Sequence, residues 1–210
     1  MLVYKIYGIL QGQSDIDYSL YLPRMVEPGT IGHINFYMWC IKGEDTTVLV
    51  DTGMTDEAAE KMVNGKYNGG VAYLEGKLKQ LNIDPASVEK VIISHLHADH
   101  FSAYQLYPKA TFYIQKKDID FHTGPGVKFR QVAQFAADMT EVIGLAYAKR
   151  ICYVDGDEQI VPGIRVVLMG GHTAGSQAVV VTTGLGQAVI CADVVQIYRQ
   201  LEEGVAGTSI

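Results

Sequence analysis

Three of the six histidines in this 210-residue chain fall within six consecutive positions, in the run Ser94-His95-Leu96-His97-Ala98-Asp99-His100. On composition alone, three given positions would all be histidine with a chance of about 2 × 10⁻⁵. The apolar run KVIIS ahead of them reads as a short buried strand ending at Ser94. In an extended chain residues i and i+2 point to the same side, so His95 and His97 can grip one metal ion. The chain must then turn, and Asp99 and His100 can face a second ion beside the first. Imidazole and carboxylate donors suit zinc, iron, manganese or cobalt, so the donor set does not choose the metal. Two later pieces fit the same chemistry: Gly170-Gly171-His172-Thr173 and Cys191-Ala192-Asp193, each following a predicted strand. No GxSxG elbow is present, which weighs against a serine esterase.

The elements that must position these residues alternate between strands and helices. Strands are expected at 2–10, 34–41 and 46–50, with the polar turn KGED joining the last two as a hairpin. Asp51-Thr52-Gly53 closes the third. Thr55 can cap a helix running to Met62, and Leu74, Leu78 and Leu81 share one face of a helix over 71–81. A strand at 110–115 follows the histidine run. The stretch 127–147 carries Phe129, Val132, Phe135, Ala136, Met139, Val142, Ile143 and Tyr147 at 3.6-residue spacing. It predicts one long helix packed on the core, part of which could line an acyl-chain groove or a homodimer contact. Strands are expected again at 151–154, 164–168, 178–182 and 188–191. The pattern is α/β layering, with strands apolar enough to be covered on both faces.

Composition sets the outer limits. Hydrophobic residues are 48% and charged residues 19%, a globular balance long enough to bury a core. A net charge of −6 argues against nucleic acid as a partner. Cys40, Cys152 and Cys191 form no CxxC pair, so neither a disulfide framework nor a thiolate zinc site is expected. No apolar run has the length of a membrane span, and MLVYKIYGIL lacks a basic leader and a cleavage site. The expected setting is cytoplasmic, with no membrane partner.

The order HxHxDH, then Gly-His, then Asp after an apolar strand, with an upstream strand ending in Asp-Thr-Gly, resembles the metallo-β-lactamase superfamily. The likeness runs from Val48 to Asp193. Within the superfamily, MWCIKGEDTTVLVDTGM, SHLHADH, ATFYIQKKDIDF, YVDGDEQIVPGIRVVLMGGHTAG and VICADVV are most similar to N-acyl homoserine lactonases. The resemblance implies an αββα four-layer sandwich with two divalent metal ions at the strand-end edge, zinc first among the candidates. His95, His97 and His172 would hold one ion, Asp99 and His100 the second, and Asp193 would bridge them. Asp51 would support the ligands from behind. The implied reaction is quorum quenching: the opening of a small-molecule lactone by a hydroxide the two ions share, with Asp99 passing the proton to the leaving alkoxide. Two alternatives stand beside it. One is a thioester or ester hydrolase of the glyoxalase II-like type, which usually has Thr where this chain has Ser94. The other is a truncated, inactive metal-binding domain.

The chain also departs from the family pattern. The family supplies one more histidine to the second metal beyond the bridging Asp, and 194–210 contain none. The expectation is therefore one domain over 1–210 cut short at its C-terminus, lacking a final strand and helix. Some lactonases carry a substrate-contacting Tyr three residues after the bridging Asp. Gln196 stands there, and Tyr198, two residues on, is the substitute candidate. His33 and His122 match no ligand and read as loop residues.

Overall fold

The structure, a computed structural model, describes residues 3–22, 28–125 and 135–204. Eleven strands among them form two sheets. Strands β1 (Lys5–Asp17), β2 (Ile31–Lys42), β3 (Thr47–Val50), β4 (Gly65–Tyr67), β5 (Lys90–Ile92), β6 (Thr111–Gln115) and β7 (Ile151–Val154) build a seven-stranded sheet in the order β4-β1-β2-β3-β5-β6-β7. Strands β8 (Glu158–Val161), β9 (Ile164–Leu168), β10 (Gln177–Thr183) and β11 (Gly186–Ile190) form the second, in the order β11-β10-β9-β8. Six α-helices join them: α1 (Asp56–Met62), α2 (Val71–Gln80), α3 (Ala98–Phe101), α4 (Lys116–Thr123), α5 (Met139–Tyr147) and α6 (Tyr198–Glu203).

The antiparallel β1-β2-β3 meander gives way to parallel pairing from β3 through β5 and β6 to β7. Parallel neighbours need crossover connections, which is why α1 to α5 fall between these strands. One apolar cluster lies between the large sheet and its helices. It contains Leu74 and Leu78 of α2, Phe101 of α3, Val142 and Leu145 of α5, and Leu49, Val91 and Phe112 of the sheet. A second lies between the sheets, where Val48, Val50 and Ile92 meet Ile164, Val166, Val179 and Val181. Each such side chain, fully buried, contributes about 1.5–3 kcal/mol. With both faces covered, the parallel strands read as continuous apolar runs. The three cysteines are free. No helix among the described residues is long and apolar enough to cross a membrane.

Three expectations need correction. The first strand runs to Asp17, well past Leu10, paired along its length with β2. The long helix expected over 127–147 is, where described, the nine-residue α5. Asp138 starts this helix by accepting the Thr140 N–H at 2.8 Å as an N-cap. Phe129 and Val132 lie outside the described residues. His33 sits in β2, exposed and 2.9 Å from Asp15, rather than in a loop.

Candidate metal centre

In open parallel sheets, functional groups collect at the carboxyl ends of the strands. Val50 at the end of β3 lies in register with Ile92 at the end of β5, so the residues that follow emerge side by side. After β3 comes Asp51, with φ at 66°, a left-handed conformation uncommon for a residue with a side chain. The surroundings hold it there: its N–H donates to the Ile92 carbonyl and the Thr52 N–H to the His100 carbonyl, both at 2.8 Å. Gly53, at φ +79°, completes the turn where any Cβ would overlap Gln11 and Leu74.

From that turn the Asp51 carboxylate, 2% exposed, reaches the second strand end. Oδ1 accepts the Ser94 N–H at 2.7 Å. Oδ2 accepts the Ser94 hydroxyl at 2.9 Å and faces His100 Nδ1 at 2.7 Å. This bond fixes the ring and leaves His100 Nε2 directed at Asp99 Oδ2, 3.1 Å away, and Asp193 Oδ1, 3.4 Å away. At the other end of the cluster, His95 Nε2 and His172 Nε2 converge on His97 Nδ1 at 3.0 and 3.1 Å. Asp193 spans the two ends, because its Oδ2 is 3.5 Å from His172 Nε2.

Burial drives His95 well below its ordinary pKa, with the neighbouring imidazoles adding to the effect. Burial likewise takes His97 down to about 3, against the opposing pull of Asp99 and Asp193. Neutral imidazole is the form that offers a metal its lone pair. His100 behaves differently. Burial lowers it, but Asp99, Asp51 and Asp193 outweigh that and hold it well above the usual range. Asp193, although burial pushes it up, is held well below the carboxylate range by His100, His172 and His97. Three carboxylates around one imidazole call for a positive charge at that end of the cluster.

These features test whether the residues suit a metal. The donor atoms of His95, His97 and His172, and those of His95, His100 and Asp193, lie within 4.8 Å of one another. Tetrahedral zinc with bonds of about 2.0–2.1 Å sets its nitrogens about 3.3–3.4 Å apart, close to the spacing of the three-histidine end. Asp99 Oδ1 is buried without a hydrogen-bond partner, a carboxylate lone pair left for a cation. The donor set fits divalent metal ions.

The structure thus gathers His95, His97, Asp99, His100, His172 and Asp193, with Asp51 behind them. Tyr198 is not gathered: it is 84% exposed in the first turn of α6. His122 is not a loop residue but a buried part of α4, its ring centroid 5.6 Å from that of His97. Two residues near the cluster carry no motif. Tyr21 is half-buried, and its backbone carbonyl accepts the Gln200 side chain at 2.8 Å. Burial, followed by the charges of Asp193 and Asp99, pushes its phenol up to about 12. Asp118 is buried at the start of α4. Its signal in the sequence is a carboxylate three residues past a parallel strand. Beside the cluster opens a cavity of about 880 Å³, lined in part by Ala98, Phe101, Phe135 and Ala136.

A sheet core carrying a His/Asp cluster at its strand ends makes a site for metal ions. The chain belongs to the metallo-beta-lactamase superfamily, whose sequence profile matches residues 32–208, and this membership with the relatives that follow marks it as a metal-dependent hydrolase. It is 24% identical over 208 residues to the N-acyl homoserine lactonase AiiA of Bacillus thuringiensis subsp. kurstaki, covering 90% of this chain and 75% of that protein. Among solved structures, an N-acyl homoserine lactone hydrolase with the product N-hexanoyl-L-homoserine at its catalytic metal centre superposes with a TM-score of 0.78 at 21% identity. That match covers 100% of this chain and 83% of the other. The dizinc quorum-quenching lactonase AidC matches with a TM-score of 0.67 at 17% identity, over 93% of this chain and 73% of that one.

Proposed function

We propose that this protein opens the ring of an N-acyl homoserine lactone at a centre of two zinc ions. One observation carries the reading: the two oxygens of Asp193 lie 3.4 Å from His100 and 3.5 Å from His172, so one carboxylate can serve two ions. His95, His97 and His172 would hold the first ion, Asp99 and His100 the second. Bound there, the ions supply Lewis acidity toward the lactone carbonyl and lower the pKa of water.

The rest is the work of the chain itself. Asp51 holds the His100 ring by its Nδ1, which keeps Nε2 turned to the site. Asp99, 6% exposed and with one oxygen unpartnered, is the group to carry a proton to the leaving alkoxide as the ring opens. Ala98, between His97 and Asp99, lines the neighbouring cavity, and Phe135 and Ala136 give that cavity an apolar side for an acyl chain. The likeness to N-acyl homoserine lactonases in sequence and fold supports this choice of substrate.

The test is ring opening by the zinc-loaded chain, followed by the acid it releases, across lactones of short and long acyl chains. Turnover of acyl homoserine lactones supports the reading. Failure on every lactone with cleavage of a glutathione thioester would replace it with the glyoxalase II-like reading. Failure on both would leave a metal-binding domain without hydrolase activity.

A further inference from the structure

We propose that Asp118 is a positioning residue of the metal centre. It clamps the loop carrying His95 and His97 to the loop carrying His172, and so sets how tightly the three-histidine end holds its ion. The proposal rests on the reading of these histidines as metal ligands.

Asp118 lies in the first turn of α4, three residues beyond the end of β6, and is 1% exposed. Its two oxygens are divided between the two loops. Oδ2 accepts the N–H of Leu96, the residue between His95 and His97, at 2.5 Å. Oδ1 accepts the Thr173 hydroxyl and, at 3.2 Å, the Gly175 N–H, both from the loop that carries His172. His122 Nε2 lies 3.9 Å from Oδ2, across one turn of α4. An acceptor-only carboxylate suits this place because three donors converge on it.

The donors are themselves set. Ser176 Oγ accepts the Thr173 N–H at 2.9 Å and lies 2.9 Å from Thr173 Oγ1. Ser176 therefore donates to Thr173, and the Thr173 proton is directed to Asp118. A second observation points to the same contact. A Cβ on Gly175 would overlap the backbone N, Cα and Cβ of Asp118, so the loop packs against the start of α4 as closely as a glycine allows. A separate link also joins the loops: the Gln177 N–H donates to the Ser94 carbonyl at 3.0 Å, and its side chain to the Ile93 carbonyl at 2.7 Å. That link joins the end of β5, just before His95, to the start of β10, five residues past His172. Asp118 grips the loops beside the ligands themselves, where a small displacement changes the nitrogen spacing.

The experiment compares the full chain with Asp118→Ala and Asp118→Asn. Zinc affinity is read by competition with a chromophoric chelator, the three-histidine geometry by the visible spectrum of the cobalt-loaded protein, and folding by the metal-free melting temperature. Loss of a group behind the ligands typically weakens metal binding about 10- to 100-fold. That range is expected for Asp118→Ala, with a changed cobalt spectrum. A smaller loss is expected for Asp118→Asn, whose amide oxygen still accepts one bond. A folded Asp118→Ala with parental affinity and spectrum overturns the proposal, as does a lowered metal-free melting temperature with affinity unchanged. If the alanine variant does not fold, Asp118→Asn decides by the same readings. A parent that takes up no zinc overturns this proposal and the proposed centre together. A parent that binds zinc but opens no lactone counts against the substrate alone, and the affinity comparison still decides the role of Asp118.

Discussion

Asp51 and Asp118 are both buried carboxylates just past the ends of parallel strands, and each holds one end of the His/Asp cluster, but they grip different parts of it. Asp51 bonds a ring directly, at 2.7 Å from His100 Nδ1. Asp118 touches no histidine of the trio and bonds the backbone and hydroxyl groups beside them. The electrostatics differ in the same way. The end held by Asp51 gathers three carboxylates around one imidazole, whereas the other end is three buried imidazoles with Asp193 at its border. The His100 end is thus built for charge and the trio end for geometry. On the proposed reading, the chemistry of proton transfer belongs to the first and the tighter grip on metal to the second.

The largest expected effect tests where the chemistry lies. Asp99→Asn keeps the size of the side chain but removes the charge and most of the basicity. A positioned acid or base contributes about 10²–10⁴-fold, so kcat for lactone opening at matched metal content should fall within that range. A loss of less than tenfold would move the proton carrier elsewhere. Next comes Asp51→Asn, expected to weaken the ion at the His100 end by about 10- to 100-fold, and the three-histidine end, which it reaches only through Ser94, by less. Equal weakening at both ends, read by chelator competition, would show that the two supports are not separate.

How much of this was legible in the sequence follows the same division. His95, His97 and His100 announce themselves because histidine is scarce and the spacing is tight. Asp51 is visible because it ends a strand in Asp-Thr-Gly. Asp118 is not, because KKDID reads as a solvated charged stretch and its partner Thr173 is distant in the chain. The strand β8 was missed for a related reason: Glu158–Val161 is short and half polar, and only pairing with β9 defines it. In 127–147 the apolar spacing is real, yet a cap at Asp138 is invisible to periodicity, so one helix was expected where the described part holds a shorter one. Local pattern and the family order made the His/Asp cluster readable, His172 and Asp193 included, whereas the clamp at Asp118 and the pairing of β8 depend on contacts that neither carries.

A smaller effect concerns the order of metal loss. On the proposed reading, the trio offers its ion three histidines and a share of Asp193. The His100 end offers Asp99, His100 and the other share. Fewer donors favour departure from the His100 end first. Chelator titration followed by elemental analysis should show two steps, with activity lost in the first. Loss of both ions in one step would contradict the asymmetry.

The smallest expected effect separates two tyrosines. The family likeness directs attention to Tyr198, which lies five residues after Asp193 but faces solvent. Tyr21 comes from the opposite end of the chain. Its phenol is half-buried within reach of the charges of Asp193 and Asp99, and its backbone is tied to α6 through Gln200. Gln200 in turn accepts the Gln196 N–H at 2.7 Å, and the Gln196 side chain donates to Asp193 Oδ2 at 3.2 Å. This chain of bonds ties the Tyr21 backbone to Asp193. A phenol near these carboxylates can donate to a substrate oxygen, and one such hydrogen bond is worth about 0.5–1.5 kcal/mol, or roughly two- to tenfold in rate. Tyr21→Phe should therefore lower kcat/KM for lactone opening by that factor with metal content unchanged, while Tyr198→Phe leaves it within about twofold. The reverse result would mean that α6 turns inward when substrate binds, and the surface position of Tyr198 would then describe only the ligand-free chain.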